Sequence, residues 1–336
     1  MPALNQLEFY ARYIWPAQRL VAKVSRRCSR CILSERCSPL EGGICEHCRA
    51  AAAKPRTDIA EKAETVVGLA EFSREVESSV GKGRGRYDAL VLLSGGKDSA
   101  FVLHRMRATF PELRLLCLTV DNGFMSPVAL RNAAYTASKM ENDLLTVRSR
   151  APEFARVLRE AFLSVKGRGC YSVVDYADGS LVFQVGRETA EELGIPLLIG
   201  GLSWVQLQHI VGINGFEVPG EGPTRSFFPL AVWRVNEQTI RAAVRDLGLI
   251  EPGQESPLAT NSPLITAMTV VDIVNLGYSS FEPEFAQLVR EGKTDRRLWL
   301  HLFEIVEYLT RTGPLKKEAS QVLAKLDLTL DDVVGG

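Results

Sequence analysis

Asp88-Ala89-Leu90-Val91-Leu92-Leu93, followed without a break by Ser94-Gly95-Gly96-Lys97-Asp98-Ser99, reads as a buried strand that turns sharply and feeds a helix. A continuous apolar run of this kind fits a strand covered on both faces. Two consecutive glycines let the backbone turn tightly and approach a ligand, and the N–H groups that follow at a helix N-terminus form an anion site. Ser94 and Ser99 add hydroxyl donors, Lys97 adds a positive charge, and Asp98 is placed to hold a magnesium ion on bound phosphates. The stretch is neither a Walker A loop nor the dinucleotide GxGxxG pattern. A plain strand-to-helix turn could use the same two glycines, but six consecutive residues in this context weigh against it.

Outward from this turn the pattern repeats. Leu113–Val120, Leu144–Val147, Pro196–Ile199 and Phe227–Val232 read as further strands, separated by helical patterns over Asp98–Ala108, Pro127–Glu141, Pro152–Val165 and Leu181–Leu193. The alternation predicts an α/β fold with a parallel sheet, helices on both faces, and a ligand at the carboxyl ends of the strands. Val120-Asp121-Asn122-Gly123 follows the second strand and Gly200-Gly201 the fourth, so both belong to that edge. From about Pro252 only helices are expected, over Thr269–Leu276, Pro283–Arg290, Leu298–Leu309 and Leu315–Leu326, packed as a cap beside the sheet. At the other end, residues 3–27 read as one helix with Leu4, Leu7, Tyr10, Ile14, Leu20 and Val24 at near-helical spacing. Thr57 to Val80 suggests a connecting helix, and Gly81–Arg86 (GKGRGR) a flexible boundary. The expected organisation is therefore an N-terminal helix (1–27), a cysteine module (28–50), a helical linker (51–86), a nucleotide domain (87–250) and a helical C-terminal region (251–336).

With 336 residues, 46% hydrophobic and 24% charged, the chain has globular rather than disordered or fibrous composition. Lys plus Arg equals Asp plus Glu at 40 each, so no overall field draws it to nucleic acid. No apolar run reaches the length needed to span a bilayer, and no membrane association is expected. Asn5, Gln6, Glu8 and Arg12 interrupt the apolar core a signal peptide would need, which points to a cytoplasmic protein with reduced thiols.

SGGKDS in this position resembles the PP-loop of the N-type ATP pyrophosphatases, the adenine nucleotide alpha-hydrolase superfamily, over about Tyr87 to Ile250. The resemblance implies a Rossmann-like, five-stranded parallel sheet that binds ATP with Mg2+, attack at the α-phosphate and release of pyrophosphate. It also implies that the segment Val120–Gly123 borders the adenosine and that Asp121 assists the metal. Asn122-Gly123 is equally a turn sequence. Relatives carry His and Asp soon after the fourth strand; here the residues are LSWVQLQH, with His209 as a stand-in that is more often structural.

Five of the seven cysteines lie between Cys28 and Cys48. Cys28-Ser-Arg-Cys31 and Cys45-Glu-His-Cys48 are two CxxC knuckles 13 residues apart, a pattern that suits tetrahedral Zn2+ and a segment too small for its own core. Gly42 and Gly43 suit the turn between them. Cys37 and His47 read as bystanders, and an iron–sulfur cluster is the competing assignment. Together the knuckles, SGGKDS and VDNG resemble the N-acetyl sugar amidotransferases over roughly residues 28–200, while several tRNA thiolases also join a cysteine module to a PP-loop.

Two chemistries follow from the resemblance, both by adenylation of a carbonyl oxygen on a substrate. In the amidotransferase-like reading ammonia displaces AMP from a small molecule such as a sugar. No glutaminase elbow occurs in the sequence, so ammonia is expected from solution or from a separate glutaminase subunit. The sulfurtransferase reading needs a sulfur donor protein or an acceptor thiol, and Cys170, flanked by Lys166 and Arg168, is the candidate in the catalytic region. Its alternative is a small buried hydrophobe. tRNA as acceptor is not favoured, and the oligomeric state, a homo-oligomer among the options, is not given by the sequence. A third reading, a non-catalytic ATP-binding module, leaves Lys97, Asp98 and Asp121 unexplained.

Overall fold

Among the residues that the computed structural model describes, 6–53, 58–148, 151–213, 215–254, 260 and 262–335, the chain forms eight strands. They are β1 (Leu40–Glu41), β2 (Ile44–Cys45), β3 (Ala89–Leu92), β4 (Leu115–Asp121), β5 (Asp143–Arg148), β6 (Leu197–Ile199), β7 (Glu217–Val218) and β8 (Arg225–Phe227). Two units are distinguished, Thr57–Ser149 with Gly179–Thr260, and Leu4–Arg56 with Arg150–Asp178 and Asn261–Gly336.

The first unit holds a six-stranded sheet in the order β5-β4-β3-β6-β8-β7. The five strands from β5 to β8 pair in parallel, and β7 is an antiparallel edge strand against β8. Every residue of β3 and β4 is buried, the cause of their unbroken apolar runs. The strand order reverses between β3 and β6, where a doubly wound sheet opens its ligand crevice beyond the strands' carboxyl ends. The fold class therefore follows the sequence pattern, with two local differences. The fifth parallel strand stops at Phe227 because Pro229, which lacks an N–H, begins the helix Pro229–Trp233. The two-residue β7 was not foreseen.

From Thr57 on, the segment expected to be a linker is part of this unit. Its helix Asp58–Glu77 places Phe72, with no exposed surface, against Phe110, Phe216, Phe227 and Trp233 at centroid separations of 5.5 to 6.1 Å. Phe72→Ala is expected to cost about 3–5 kcal/mol; an unchanged melting curve would remove this helix from the core. Nor is Gly81–Arg86 a loose boundary. The buried Asp88 carboxylate accepts from the Gly83 amide (3.0 Å) and from the Arg114 guanidinium (2.6 and 2.9 Å), and Arg84 donates its amide to the Gly194 carbonyl (3.0 Å). Burial opposes the Asp88 charge, but Arg114 and these amides outweigh it and bring the carboxyl down to about 2.

The second unit gathers the N-terminal residues, the cysteine module and the C-terminal helices Pro263–Leu276, Glu282–Arg290, Arg296–Thr312 and Pro314–Ala324. It also holds the helix Ala151–Leu163, which the strand–helix alternation had suggested for a crossover of the sheet. The expected N-terminal helix ends at Gln18, and its first residues, Leu4 among them, lie outside the described residues. Leu20, read as part of its apolar face, is 83% exposed. The basic residues explain the departure. Arg19 pairs with Glu304 (2.6 Å), Arg27 with Glu282 (2.9 Å) and Glu307 (3.0 Å), and the Ser25 hydroxyl donates to Glu307 (2.7 Å). These three carboxylates are buried, and a buried charge left without its partner is strongly destabilising, so the chain beyond Gln18 follows the pairings rather than helical spacing.

Candidate functional site

The turn after β3 is shaped by its first glycine. Gly95 has φ of +77°, and a Cβ there would lie 1.9 Å from the Ala129 carbonyl oxygen, so this position tolerates no side chain. Gly96 then serves as the N-cap of the helix Lys97–Thr109 without a side-chain cap, so no side chain of the cap takes up the first-turn amides, the groups that bind anions at helix N-termini. Ser94 and Ser99 place their hydroxyls 3.1 Å apart, and Ser99 also donates to the Gly96 carbonyl (3.1 Å).

Lys97 is buried, with its Nζ 2.7 Å from Asp98, whose side chain is 43% exposed. Burial works against the ammonium, but Asp98 and Glu237 outweigh both burial and the nearby Arg241, and Lys97 is held above its ordinary range. It is a permanent positive charge at neutral pH. Asp98 has an exposed carboxylate beside it, suited to a divalent cation on bound phosphates.

The sheet brings two further segments to this edge. Gly201 lies beside Ser99, whose Cα would be 3.6 Å from an added Cβ. Gly200 has a packing reason instead of the expected ligand approach, since a Cβ there would fall 2.4 Å from the Phe228 ring and 2.9 Å from Phe183. The segment after β4 is a tight Asx turn. Asp121 Oδ1 accepts the Gly123 amide (2.9 Å) and Asn122 Oδ1 the Phe124 amide (2.8 Å), while Val120 is buried in the strand. Asp121 Oδ2 accepts from Arg148 Nε (2.8 Å), at the end of β5 in register with it. For Asp121 to assist a metal, Arg148 would have to release it.

Arg148 and Asn132 were not singled out from the sequence. Asn132 is fully buried and donates from Nδ2 to the Gly95 carbonyl (3.2 Å). A polar residue among Ala129, Ala133 and Ala137 on the buried face of the helix Pro127–Lys139 was the available signal. His209, read from the sequence as a stand-in histidine after the fourth strand, is exposed.

Cys170 belongs to the second unit and has no exposed surface. Its amide donates to Asp272 (2.7 Å), and burial together with the Asp272 charge pushes the thiol well above its ordinary range. Arg168, expected to favour the thiolate, donates to the Ser164 carbonyl instead (2.9 Å).

Cys28, Cys31, Cys45 and Cys48, all buried, have their sulfurs within 4.8 Å of one another. The hairpin β1–β2 turns at Gly42-Gly43 and returns Cys45 to the first knuckle. Cys31 Sγ and Cys45 Sγ are 3.6 Å apart, and Cys28 Sγ accepts from the amides of Cys31 (3.5 Å) and Cys45 (3.4 Å). Arg296 donates to the Cys31 (2.9 Å) and Cys28 (3.0 Å) carbonyls, fixing the knuckle from outside. Cys37 and the exposed His47 are not among this set. Four converging thiols fit a metal centre.

No family model matches the sequence. An uncharacterized protein of Methanocaldococcus jannaschii is 33% identical over 78 residues, which span 22% of this chain and 28% of that protein. Among solved structures the chain is similar to a U34-tRNA thiolase from Methanococcus maripaludis with its 4Fe–4S cluster, at 12% identity, 81% of this chain, 88% of that chain and a TM-score of 0.39. It is also similar to an NMN synthetase from Francisella tularensis, at 14% identity, 76% of this chain, 94% of that chain and a TM-score of 0.42. An NAD+ synthetase from Burkholderia pseudomallei is 18% identical, with 75% of this chain and 89% of that chain covered and a TM-score of 0.39. At these scores the functional reading rests on the site itself. Among the described residues, no helix is long and apolar enough to cross a membrane.

Proposed function

We propose that the chain is an ATP pyrophosphatase of the PP-loop type that adenylates a carbonyl oxygen of a small molecule, such as a sugar, so that a nitrogen nucleophile can attack the activated carbon and displace AMP. The observation that carries this reading is the glycine turn with its buried Lys97, set at the strand-order reversal of a doubly wound parallel sheet. The amides of the turn and the Ser94 and Ser99 hydroxyls bind the polyphosphate. Lys97 balances its charge, and Asp98 would hold magnesium there. The substrate oxygen attacks the α-phosphorus, pyrophosphate leaves, and the nitrogen nucleophile then expels AMP with the transferred oxygen. Prepositioned donors and charge at the point where negative charge develops are the chief means of lowering such a barrier. Ammonia would come from solution or from a separate glutaminase subunit.

The burial of Cys170 and its raised thiol support this reading over a sulfur relay through the chain's own thiol, because both disfavour the nucleophilic thiolate. Cys170→Ser is accordingly expected to leave turnover within about twofold and to change stability by roughly 1 kcal/mol. A variant that still releases pyrophosphate but forms no product would move the assignment to sulfur transfer. The broader test is to incubate the protein with ATP, magnesium and candidate acceptors, with ammonia or sulfide as donor, and to weigh the product. Nitrogen in place of oxygen lowers its mass slightly and sulfur raises it strongly, whereas no pyrophosphate release under any condition would refute the proposal.

We assign zinc to the four-cysteine centre. Sulfurs at the corners of a tetrahedron around one zinc, with Zn–S near 2.3 Å, lie about 3.8 Å apart. The observed 3.6 Å between Cys31 and Cys45 and the 4.8 Å limit of the whole set suit thiolates that share a single ion. Thiolates that each hold a different iron of a cluster are spread wider by the irons between them. With four protein ligands the centre has no open position and serves structure rather than turnover.

A further inference from the structure

The helix Pro127–Lys139 buries Ala129, Asn132, Ala133, Thr136 and Ala137 on one face. Two of its long-range polar contacts differ in kind. Thr136 donates to the Leu249 carbonyl (2.8 Å) and has a purely architectural partner. Asn132 donates from Nδ2 to the Gly95 carbonyl (3.2 Å), while its buried Oδ1 meets no donor among the described residues. A buried acceptor left unpaired is a standing penalty, so an apolar side chain of similar shape would pack here at lower cost. What an apolar side chain would lack is the grip on Gly95.

That grip has a direction. In a planar trans peptide the carbonyl of Gly95 and the N–H of Gly96 point to opposite sides. Holding the Gly95 oxygen against the helix Pro127–Lys139 therefore aims the Gly96 amide away from that helix, to the open side of the turn. Gly95 has the left-handed φ of +77° and is pressed onto the Ala129 carbonyl, so it has no alternative support from a side chain of its own. The Gly96 carbonyl is engaged by Ser99 Oγ (3.1 Å) and the Ala100 amide (3.2 Å), which fixes the far end of the same turn.

We propose that Asn132 is the positioning residue of the phosphate turn, and that its bond to Gly95 orients the Gly96 amide toward a phosphate of the bound nucleotide. The assignment rests on reading this turn as a polyphosphate site. The test compares wild type with Asn132→Leu, which keeps the bulk and removes the donor, and with Asn132→Ser, which retains a shorter donor. Melting temperature, binding of Mg-ATP and of inorganic pyrophosphate by calorimetry, and the kinetics of pyrophosphate release are read for each. Asn132→Leu is expected to melt no lower than wild type yet to bind both probes about tenfold more weakly or worse, with kcat reduced as well, since misplacing a binding group by about 1 Å can cost 10²-fold. Asn132→Ser is expected to fall between the two. An Asn132→Leu protein that binds pyrophosphate as tightly as wild type, or whose binding falls only in step with its melting temperature, overturns the proposal. Wild-type protein that binds pyrophosphate without turning over ATP would refute the enzymatic reading alone, with the pyrophosphate affinities still deciding the role of Asn132. Wild-type protein that binds neither probe overturns both.

Discussion

Lys97→Ala is expected to lower ATP-dependent pyrophosphate release by about 10²- to 10³-fold, equivalent to about 3–4 kcal/mol of barrier. The effect is large because two things are lost together. The ammonium that balances the polyphosphate is removed from a buried position, where little water can replace it. The Asp98 carboxylate, 2.7 Å from Nζ, also loses its counter-charge and repels the incoming phosphates unless a cation takes its place. Because Lys97 lies above its ordinary range, wild-type activity should show no loss from this group through neutral pH. Lys97→Met, which keeps the buried stem, separates charge from packing: it should melt near wild type and be as inactive as the alanine variant. Pyrophosphate release at wild-type rate from either protein, measured at saturating magnesium, would reject the phosphate-binding role of the turn.

The fold was legible where burial acts on whole segments. β3 and β4 are covered on both faces, so nearly every residue had to be apolar, and the strand-to-helix turn announced itself through Gly95, which no residue with a Cβ could replace. The four cysteines were legible for a related reason, since thiols that converge on one point impose spacing along the chain. Contacts between segments distant in sequence left weaker traces. Nothing in the sequence marks a partner for Arg19 or Arg27, yet each meets a buried carboxylate about 280 residues away in the chain. The glycines of Gly81–Arg86 suggested looseness, but Asp88 and Arg114 hold that turn from outside it. Arg148 reaches the candidate site only through the β4–β5 register, and Asn132 only through a helix packed under the turn. A single charged or polar residue carries no periodicity, so its partner is visible only once the fold has brought the two together.

Removing the metal is expected to have the second large effect, and on the second unit. The β1–β2 hairpin has two residues in each strand, and the module between Cys28 and Cys48 has too little apolar material to hold itself together. In peptides of this size, structural zinc contributes on the order of 10 kcal/mol to folding at neutral pH. Here part of that ordering is supplied by Arg296, which clamps the Cys28 and Cys31 carbonyls, and by Arg27 beside Cys28, paired with Glu282 and Glu307. The two supports depend on each other. If the knuckle opens, the carbonyls turn away from Arg296, and any shift of Arg27 leaves two buried carboxylates short of their cation. The purified protein should therefore carry about one zinc per chain. Cys31→Ser combined with Cys45→Ser should abolish that zinc and open the segment from Cys28 to Cys48 to limited proteolysis. Helix Arg296–Thr312 should become labile with it, because Glu304 and Glu307 on that helix are the acceptors of Arg19, Ser25 and Arg27. Iron with visible absorbance in place of zinc would refute the zinc assignment, and a protease-resistant, fully folded variant without metal would refute the structural role.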